Sequence, residues 1–232
     1  SGSVTDVSVQ VQFARSRNDA SSLTSLHHQL VATYGPRHPG LTAYPTVEVS
    51  RFDPLHVIPF GLAEPLWYDQ SLITKPTVHA AYTRLADSIH AQGGLMSMNH
   101  PFGPSDKLGP PGGMEALRAQ TYAALSVVDV DHADLLEVGY TARGSADLAT
   151  HLALWDTFSR NGRFLTGTGV NDDHGGVNWV GLSNGFVTAM WAASPAQADL
   201  VTALAGGRVF TYHPNRWRPA ALDSVLEDGT RM

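Results

Sequence analysis

The sequence predicts an α/β protein in which helices alternate with short strands, as in a βα barrel or a doubly wound sheet. Two observations support this fold class. Three times in the middle and end of the chain, an apolar helical face is followed by a glycine stop and then by a short apolar strand. The 232 residues are 43% hydrophobic and only 16% charged, so a sizeable core can be buried. At this length we expect one domain over residues 1–232.

The upstream part of the chain predicts a strand, a helix and two further strands. Apolar and polar positions alternate over residues 6–13, which is typical of a strand, and apolar residues at helical spacing follow over 23–31. Two short apolar segments, 46–50 and 56–62, predict the next two strands.

Each of the three repeated units then joins a helix to a strand through glycine. The predicted helices cover 78–89, 148–158 and 195–204, and the predicted strands cover 95–98, 164–166 and 209–212. Ser194 and Gln197 fit a capping box, with Pro195 at the first helical position. Residues 101–113 are rich in proline and glycine and predict a long loop, whereas residues 186–191 predict a strand.

The composition excludes several classes of function. With 15 basic and 21 acidic residues the net charge is -6, so no broad positive surface is available for nucleic acid or an anionic membrane. No apolar run reaches the roughly 18 residues that cross a bilayer, and no signal peptide is evident. We therefore expect a small-molecule substrate and favour a cytoplasmic location. Because the chain has 11 histidines and no cysteine, a metal site would need imidazole and carboxylate ligands.

Polar residues capable of metal binding follow two of the predicted strands. His100 comes directly after the strand over 95–98, and Asp172 and His174 come after the strand that begins at residue 164. Active sites of α/β folds lie at the carboxyl ends of their parallel strands. A purely structural interpretation stays open, in which His100 belongs to a turn before Pro101 and the run of residues 172–174 is a solvated loop.

Two glutamates occur within apolar strand segments. Glu48 lies inside the segment over 46–50, where an unpaired carboxylate would be costly and a metal ion would offset that cost. His56 opens the next strand and could reach the same point. Glu137 is either another buried carboxylate or the exposed end of a strand. The agreement of these positions favours a metal site.

Short blocks of the chain occur in the order and spacing of one known enzyme family. Residues 46–50, followed by His56 and by residues 61–62, form the first block, residues 93–102 the second and residues 169–175 the third. In this order they resemble the second metal-binding block, the His-Pro block and the closing Gly-Ser-Asp-x-His motif of the polymerase and histidinol phosphatase (PHP) family.

Other stretches extend the resemblance from about Val7 to Tyr212. Residues 135–138, followed by 154–156, resemble the stretch before the last PHP motif. Residues 186–188 and 205–210 look most like the carbaryl-hydrolase branch of the PHP metallohydrolases.

The resemblance implies a distorted βα barrel that holds divalent zinc, manganese or iron. It also implies that a metal-activated water, rather than a side chain, attacks a phosphoester or, in the carbaryl branch, a carbamate or carboxylic ester. The ligand positions carried over from the family are Glu48, His56, His100, Asp172 and His174, with Glu48 as the bridging carboxylate.

The start of the chain departs from the family pattern. The His-x-His pair of the first PHP strand has no counterpart, so either that strand is absent from this sequence or the chain is divergent. Arg17 stands where the family has a histidine, and its guanidinium could hold an anionic substrate group. We therefore expect one or two metals rather than three. A second hypothesis stays open, namely a non-catalytic PHP-like protein that binds an anionic ligand beside a degenerate metal site.

Overall fold

The computed structural model describes most of the chain from residue 46 to residue 213. The described ranges are 46–52, 55–63, 78–103, 112–127, 132–143, 146–170 and 185–213, with the short pieces 25, 28–29, 31–33, 35–37, 39, 42, 44 and 172. The strand predicted over residues 6–13 lies outside them.

The helices and strands alternate through most of this part of the chain. The helices are α1 (Val78–His90), α2 (Gly113–Val127), α3 (Leu148–Arg160) and α4 (Gln197–Ala205), and a 3-10 turn covers Gly35–Arg37. The strands are β1 (Val49–Phe52), β2 (Leu55–Phe60), β3 (Leu95–Asn99), β4 (Leu135–Gly139), β5 (Ala142–Arg143), β6 (Ala146–Asp147), β7 (Thr166–Gly169), β8 (Val187–Met190) and β9 (Val209–Tyr212). None of these helices is long and apolar enough to cross a membrane.

The main sheet is mixed, with the strand order β1-β2-β3-β4-β7. β3, β4 and β7 run parallel, with α2 and α3 on the connections between them, as the alternation of helices and strands predicts. β2 and β3 are antiparallel neighbours although α1 lies between them in the chain, so the expectation of parallel units is wrong for this pair. β1 also pairs antiparallel with β2. The strands within the described ranges form an open sheet, and closure into a barrel stays a prediction.

The last helix joins two antiparallel strands, which the alternation of helices and strands did not predict. β8 and β9 pair antiparallel although α4 lies between them in the chain. The pair is attached to the main sheet through Thr188, whose hydroxyl accepts a hydrogen bond from the Gly169 amide at 2.8 Å and donates to the Gly169 carbonyl at 3.0 Å. This contact holds the carboxyl end of β7.

The two faces of the central strands pack against different partners. Met96, Met98, Leu136 and Val138 belong to a large apolar cluster that includes residues of α1, α2 and α3. On the opposite face, Leu95 and Leu135 pack against Leu204 of α4 in a smaller cluster. Because all five residues of β3 and of β4 are buried, both strands are covered on both sides.

The smaller cluster gives way to polar residues toward the carboxyl ends of these strands. Side chains alternate between the faces of a strand, so Ser97 and Asn99 share the face of Leu95, and Glu137 shares that of Leu135. All three polar residues are buried. This face of the sheet therefore changes from apolar to polar toward the carboxyl end of β3, where His100 lies.

Several local predictions need correction. β1 begins at Val49, so Glu48 precedes the strand instead of lying within it. β7 covers Thr166–Gly169 and not 164–166. The N-cap of α4 is Ala196, without a side-chain hydrogen bond, so the predicted capping box is wrong. The Ser194 hydroxyl instead contacts Asp199 at 2.5 Å.

Candidate metal centre

Three predicted ligands meet where β3 ends and β2 begins. In the antiparallel register His56 of β2 lies opposite Asn99 of β3, so their side chains share one face of the sheet. His100 follows Asn99 directly. Glu48 lies just before β1, and β1 is the neighbour of β2 in the sheet. The pairing of three consecutive strands thus brings together side chains that are far apart in sequence.

The donor atoms of these three residues form a small triangle. Nε2 of His100 lies 2.9 Å from Nδ1 of His56, and Oε1 of Glu48 lies 3.3 Å from the His56 nitrogen and 3.4 Å from the His100 nitrogen. Ligand atoms bound about 2.1 Å from one ion are about 3.0 Å apart at a right angle and about 3.4 Å apart in a tetrahedron. The spacing therefore fits three ligands of one divalent ion.

Hydrogen bonding alone accounts poorly for this triangle. If both ring nitrogens donated to Glu48, two N–H groups would face each other across the 2.9 Å between His56 and His100. A cation accepts a lone pair from both nitrogens and from the carboxylate at once, which removes this conflict. The chemistry of the donor set thus agrees with its spacing.

Glu48 is held as an anion. Partial burial raises the pKa of Glu48, but hydrogen bonds from His100, His56 and Asn99 outweigh that effect and bring the pKa far below its ordinary range. The Asn99 amide donates to Oε1 of Glu48 at 3.0 Å. Within the described residues the Asn99 Oδ1 is buried and has no hydrogen-bond partner.

The main chain is unusual at two predicted ligand positions. Among the described residues, the only non-glycine residues with positive φ are His100 at 28° and Asp172 at 51°. Such conformations cost about 1–3 kcal/mol each and cluster at functional sites. The two strained main-chain positions therefore coincide with two of the predicted ligand positions.

Asp172 follows β7, which runs parallel to β3, and therefore lies beyond the same carboxyl end of the strands as His100. Its carboxylate is not a member of the group in which Glu48, His56 and His100 place their ligand atoms within 4.8 Å of one another. His174 and Arg17 lie outside the described residues. Metal binding by Asp172 and His174 and substrate binding by Arg17 stay predictions.

Sequence analysis missed two polar residues beside the triangle. Asn99 binds Glu48, and the Tyr140 hydroxyl donates to Glu137. The position of Asn99 directly before His100, at the end of a buried strand, was the only available signal. Glu137, which sequence analysis left open, is a buried carboxyl group with 4% of its surface exposed.

Two histidines outside the site are also buried. His151 on α3 is fully buried, and its Nδ1 lies 2.8 Å from the Asp147 carbonyl. His213, directly after β9, is buried against the Phe186 ring.

Proteins similar to this chain are found among the solved structures. No family model matches the chain, and no curated protein does so. The fold is similar to the crystal structure of a two-domain protein from Bacteroides vulgatus that contains a predicted PHP-like metal-dependent phosphoesterase, with a TM-score of 0.47 and 16% identity over 79% of this chain. The match covers 48% of that protein, so this chain spans about half of its length. PHP membership of this chain stays a hypothesis based on its residues.

Proposed function

We propose that this protein is a metal-dependent hydrolase of the PHP type, acting on a phosphoester or on a carboxylic or carbamate ester. The observation that carries the proposal is the triangle of Glu48, His56 and His100, whose donor atoms lie 2.9 to 3.4 Å apart. An N₂O donor set of this kind suits zinc, manganese or iron. When bound, the metal would activate a water for attack and polarise the bond to be cleaved.

The side chains around the triangle have separate tasks. Glu48 supplies the negative charge, and the Asn99 amide donates to its Oε1. His56 and His100 supply neutral nitrogen ligands from two neighbouring strands. Asn99 orients Glu48 through its amide nitrogen, which leaves its buried Oδ1 as an acceptor for a proton of a bound molecule.

We propose one or two ions rather than three. The triangle supplies three ligands for one ion. A second ion would need Asp172 and His174 beyond the end of β7, with Glu48 as the bridge between the two.

The proposed substrate is a small molecule, and the proposed domain covers residues 1–232. Arg17 is proposed to bind an anionic substrate group because its guanidinium pairs with phosphate or carboxylate through two parallel hydrogen bonds. A phosphoester would use such a contact, whereas a neutral carbamate or carboxylic ester of the kind cleaved in the carbaryl branch would not.

Turnover of two classes of aryl substrate tests the proposal. The protein is stripped with a chelator, reloaded with Zn²⁺ or Mn²⁺ and assayed with an aryl phosphodiester and an aryl ester. We expect hydrolysis of one class to disappear on chelation, to return with metal and to be absent in His56→Ala. Arg17→Ala should raise KM for the phosphodiester only.

The opposite results are equally clear. Turnover that persists in both the stripped protein and His56→Ala would contradict the proposal. Stoichiometric metal with no turnover of either class would favour the non-catalytic, ligand-binding hypothesis.

A further inference from the structure

We infer that Glu137 is a positioning residue for His100: its buried carboxyl group holds the His100 main chain in the conformation that directs the imidazole to His56 and Glu48. The inference rests on the proposed metal site. It concerns a residue that contributes no ligand atom to the triangle, and it specifies how β4 controls a side chain at the end of β3.

The His100 main chain adopts a conformation that it would not adopt by default. Its φ of 28° is positive, and L residues with a side chain avoid that region. Pro101 restricts the backbone of the preceding residue further, since its ring crowds that residue. The surrounding structure must therefore hold His100 in place.

Both main-chain polar groups of His100 have firm partners. The His100 amide donates to Oε2 of Glu137 at 2.7 Å, and the His100 carbonyl accepts from the Gly103 amide at 2.7 Å. The second contact closes a four-residue turn with Pro101 at its second position, which is typical of a β-turn. The contact with Glu137 comes from β4, so it ties the turn to the sheet.

Glu137 is itself fixed. It lies in β4 opposite Thr168 of β7, and its side chain is buried between strands. The Tyr140 hydroxyl donates to the same Oε2 that accepts from His100. Tyr140 is fully buried, and its ring lies 5.0 Å from that of His151. The acceptor oxygen thus has little freedom to move away from His100.

The position of this oxygen decides where the imidazole points. Because Oε2 accepts hydrogen bonds from the His100 amide and from the Tyr140 hydroxyl, it acts on the main chain of a proposed ligand. Partners of this kind fix the orientation of metal ligands, and their removal typically weakens metal binding about 10- to 100-fold.

A pair of substitutions separates this role from the alternatives. Both hydrogen bonds end on Oε2, so the amide oxygen of Glu137→Gln can keep both, whereas Glu137→Ala removes both. We would titrate Co²⁺ into the stripped protein by calorimetry and record its visible absorption, with thermal melts as the check on folding. We expect Glu137→Ala to bind Co²⁺ about 10- to 100-fold more weakly, with an altered spectrum. Glu137→Gln should stay within about threefold of the wild type and keep its spectrum.

Each other outcome has a definite meaning. Wild-type affinity in Glu137→Ala would overturn the positioning role. An equal loss of affinity in Glu137→Gln would also overturn it, because it would show that the metal needs the charge of Glu137 and not its hydrogen bonds. A wild-type chain that binds no Co²⁺ would overturn the proposed site itself, which is a distinguishable failure. If Glu137→Ala does not fold, Tyr140→Phe serves instead, because it frees Oε2 at constant ring volume. That variant should weaken Co²⁺ binding less than tenfold but measurably, and unchanged affinity would overturn the inference.

Discussion

His56 and His100 meet edge to face, with ring centroids 4.4 Å apart and planes 77° from parallel. This arrangement points one nitrogen of each ring toward the other and both toward Glu48. Two protonated imidazoles at this distance would repel each other, whereas two neutral ones leave a lone pair for a cation. The geometry of these single residues is therefore best suited to neutral rings and a bound divalent ion.

The charge of Glu48 leads to a prediction about the pH dependence of stability. Hydrogen bonds lower the pKa of Glu48 against the effect of burial, so the unfolded chain takes up this proton first as the pH falls. The stabilisation is present above the ordinary carboxyl pKa of about 4.3 and is lost as the pH falls toward the folded value. In metal-free protein, the free energy of unfolding of the wild type relative to Glu48→Gln should therefore shrink between about pH 7 and about pH 3.

Urea unfolding at a series of pH values measures this difference. Glu115, an exposed residue of α2 that pairs with Arg118, provides the control. Glu115→Gln should change stability by less than about 0.5 kcal/mol. A difference between wild type and Glu48→Gln that does not vary with pH would show that the hydrogen bonds to Glu48 do not favour its ionised form.

At the scale of residues, the sequence was informative where a side chain is costly in its own segment. Glu48 in an apolar stretch could be selected on that ground, whereas His100 was selected because it comes directly after a predicted strand. Asn99 and Tyr140 could not, because their roles depend on which strands are neighbours. The resemblance to PHP proteins gave the order of the blocks along the chain, but it did not show which residues pair between neighbouring strands.

At the scale of elements, the helices with a strong apolar face were predicted closely. α1 spans Val78–His90 where 78–89 was expected, and α3 spans Leu148–Arg160 where 148–158 was expected. α2 was not predicted, because four of its apolar positions are alanines, which define a weak face.

β7 was misplaced for a different reason. It consists largely of glycine, which is unfavourable in strands unless another group approaches closely. A Cβ on Gly167 would lie 2.9 Å from the Val138 side chain, and one on Gly139 of β4 would lie 2.6 Å from Gly169 Cα. Only tertiary packing explains these glycines, so local sequence patterns could not place the bounds of the strand.

The N-terminus of α3 gives the prediction at this scale. The carboxylate of Asp147 accepts from the Thr150 amide at 2.8 Å and from the Thr150 hydroxyl at 2.6 Å, which makes it the N-cap. Asp147→Ala should lower the free energy of unfolding by about 1 kcal/mol at neutral pH. Because the hydrogen bonds from Thr150 lower the pKa of Asp147, the effect should fade as the pH drops below its ordinary range.

A charge on the exposed middle of the same helix provides the control. Asp156 pairs with Arg160 at the surface, and Asp156→Ala should cost less than about 0.5 kcal/mol. Equal losses in the two variants at neutral pH, measured by urea unfolding, would contradict the assignment of Asp147 as a cap.

At the scale of the whole molecule, the parallel part of the sheet was predictable and its extension was not. Helices between β3, β4 and β7 imply parallel neighbours, because a crossover connection returns the chain to the same end of the sheet. The antiparallel pairing of β2 with β3 and of β8 with β9, each across a helix, depends on which strand edges are available in the folded chain. The triangle is built where β1, β2 and β3 are neighbours, and these strands lie within the described ranges.

Metal binding is the property on which the whole account depends, and a calorimetric titration of the stripped protein with Zn²⁺ measures it directly. The account predicts at least one equivalent per chain and a loss of affinity of at least about 100-fold in His56→Ala. His90→Ala is the matched control, since His90 contacts Asp134 at the opposite end of β3, and it should bind Zn²⁺ as the wild type does. No uptake by the wild type, or equal affinity in the two variants, would contradict the central claim that Glu48, His56 and His100 form a metal site.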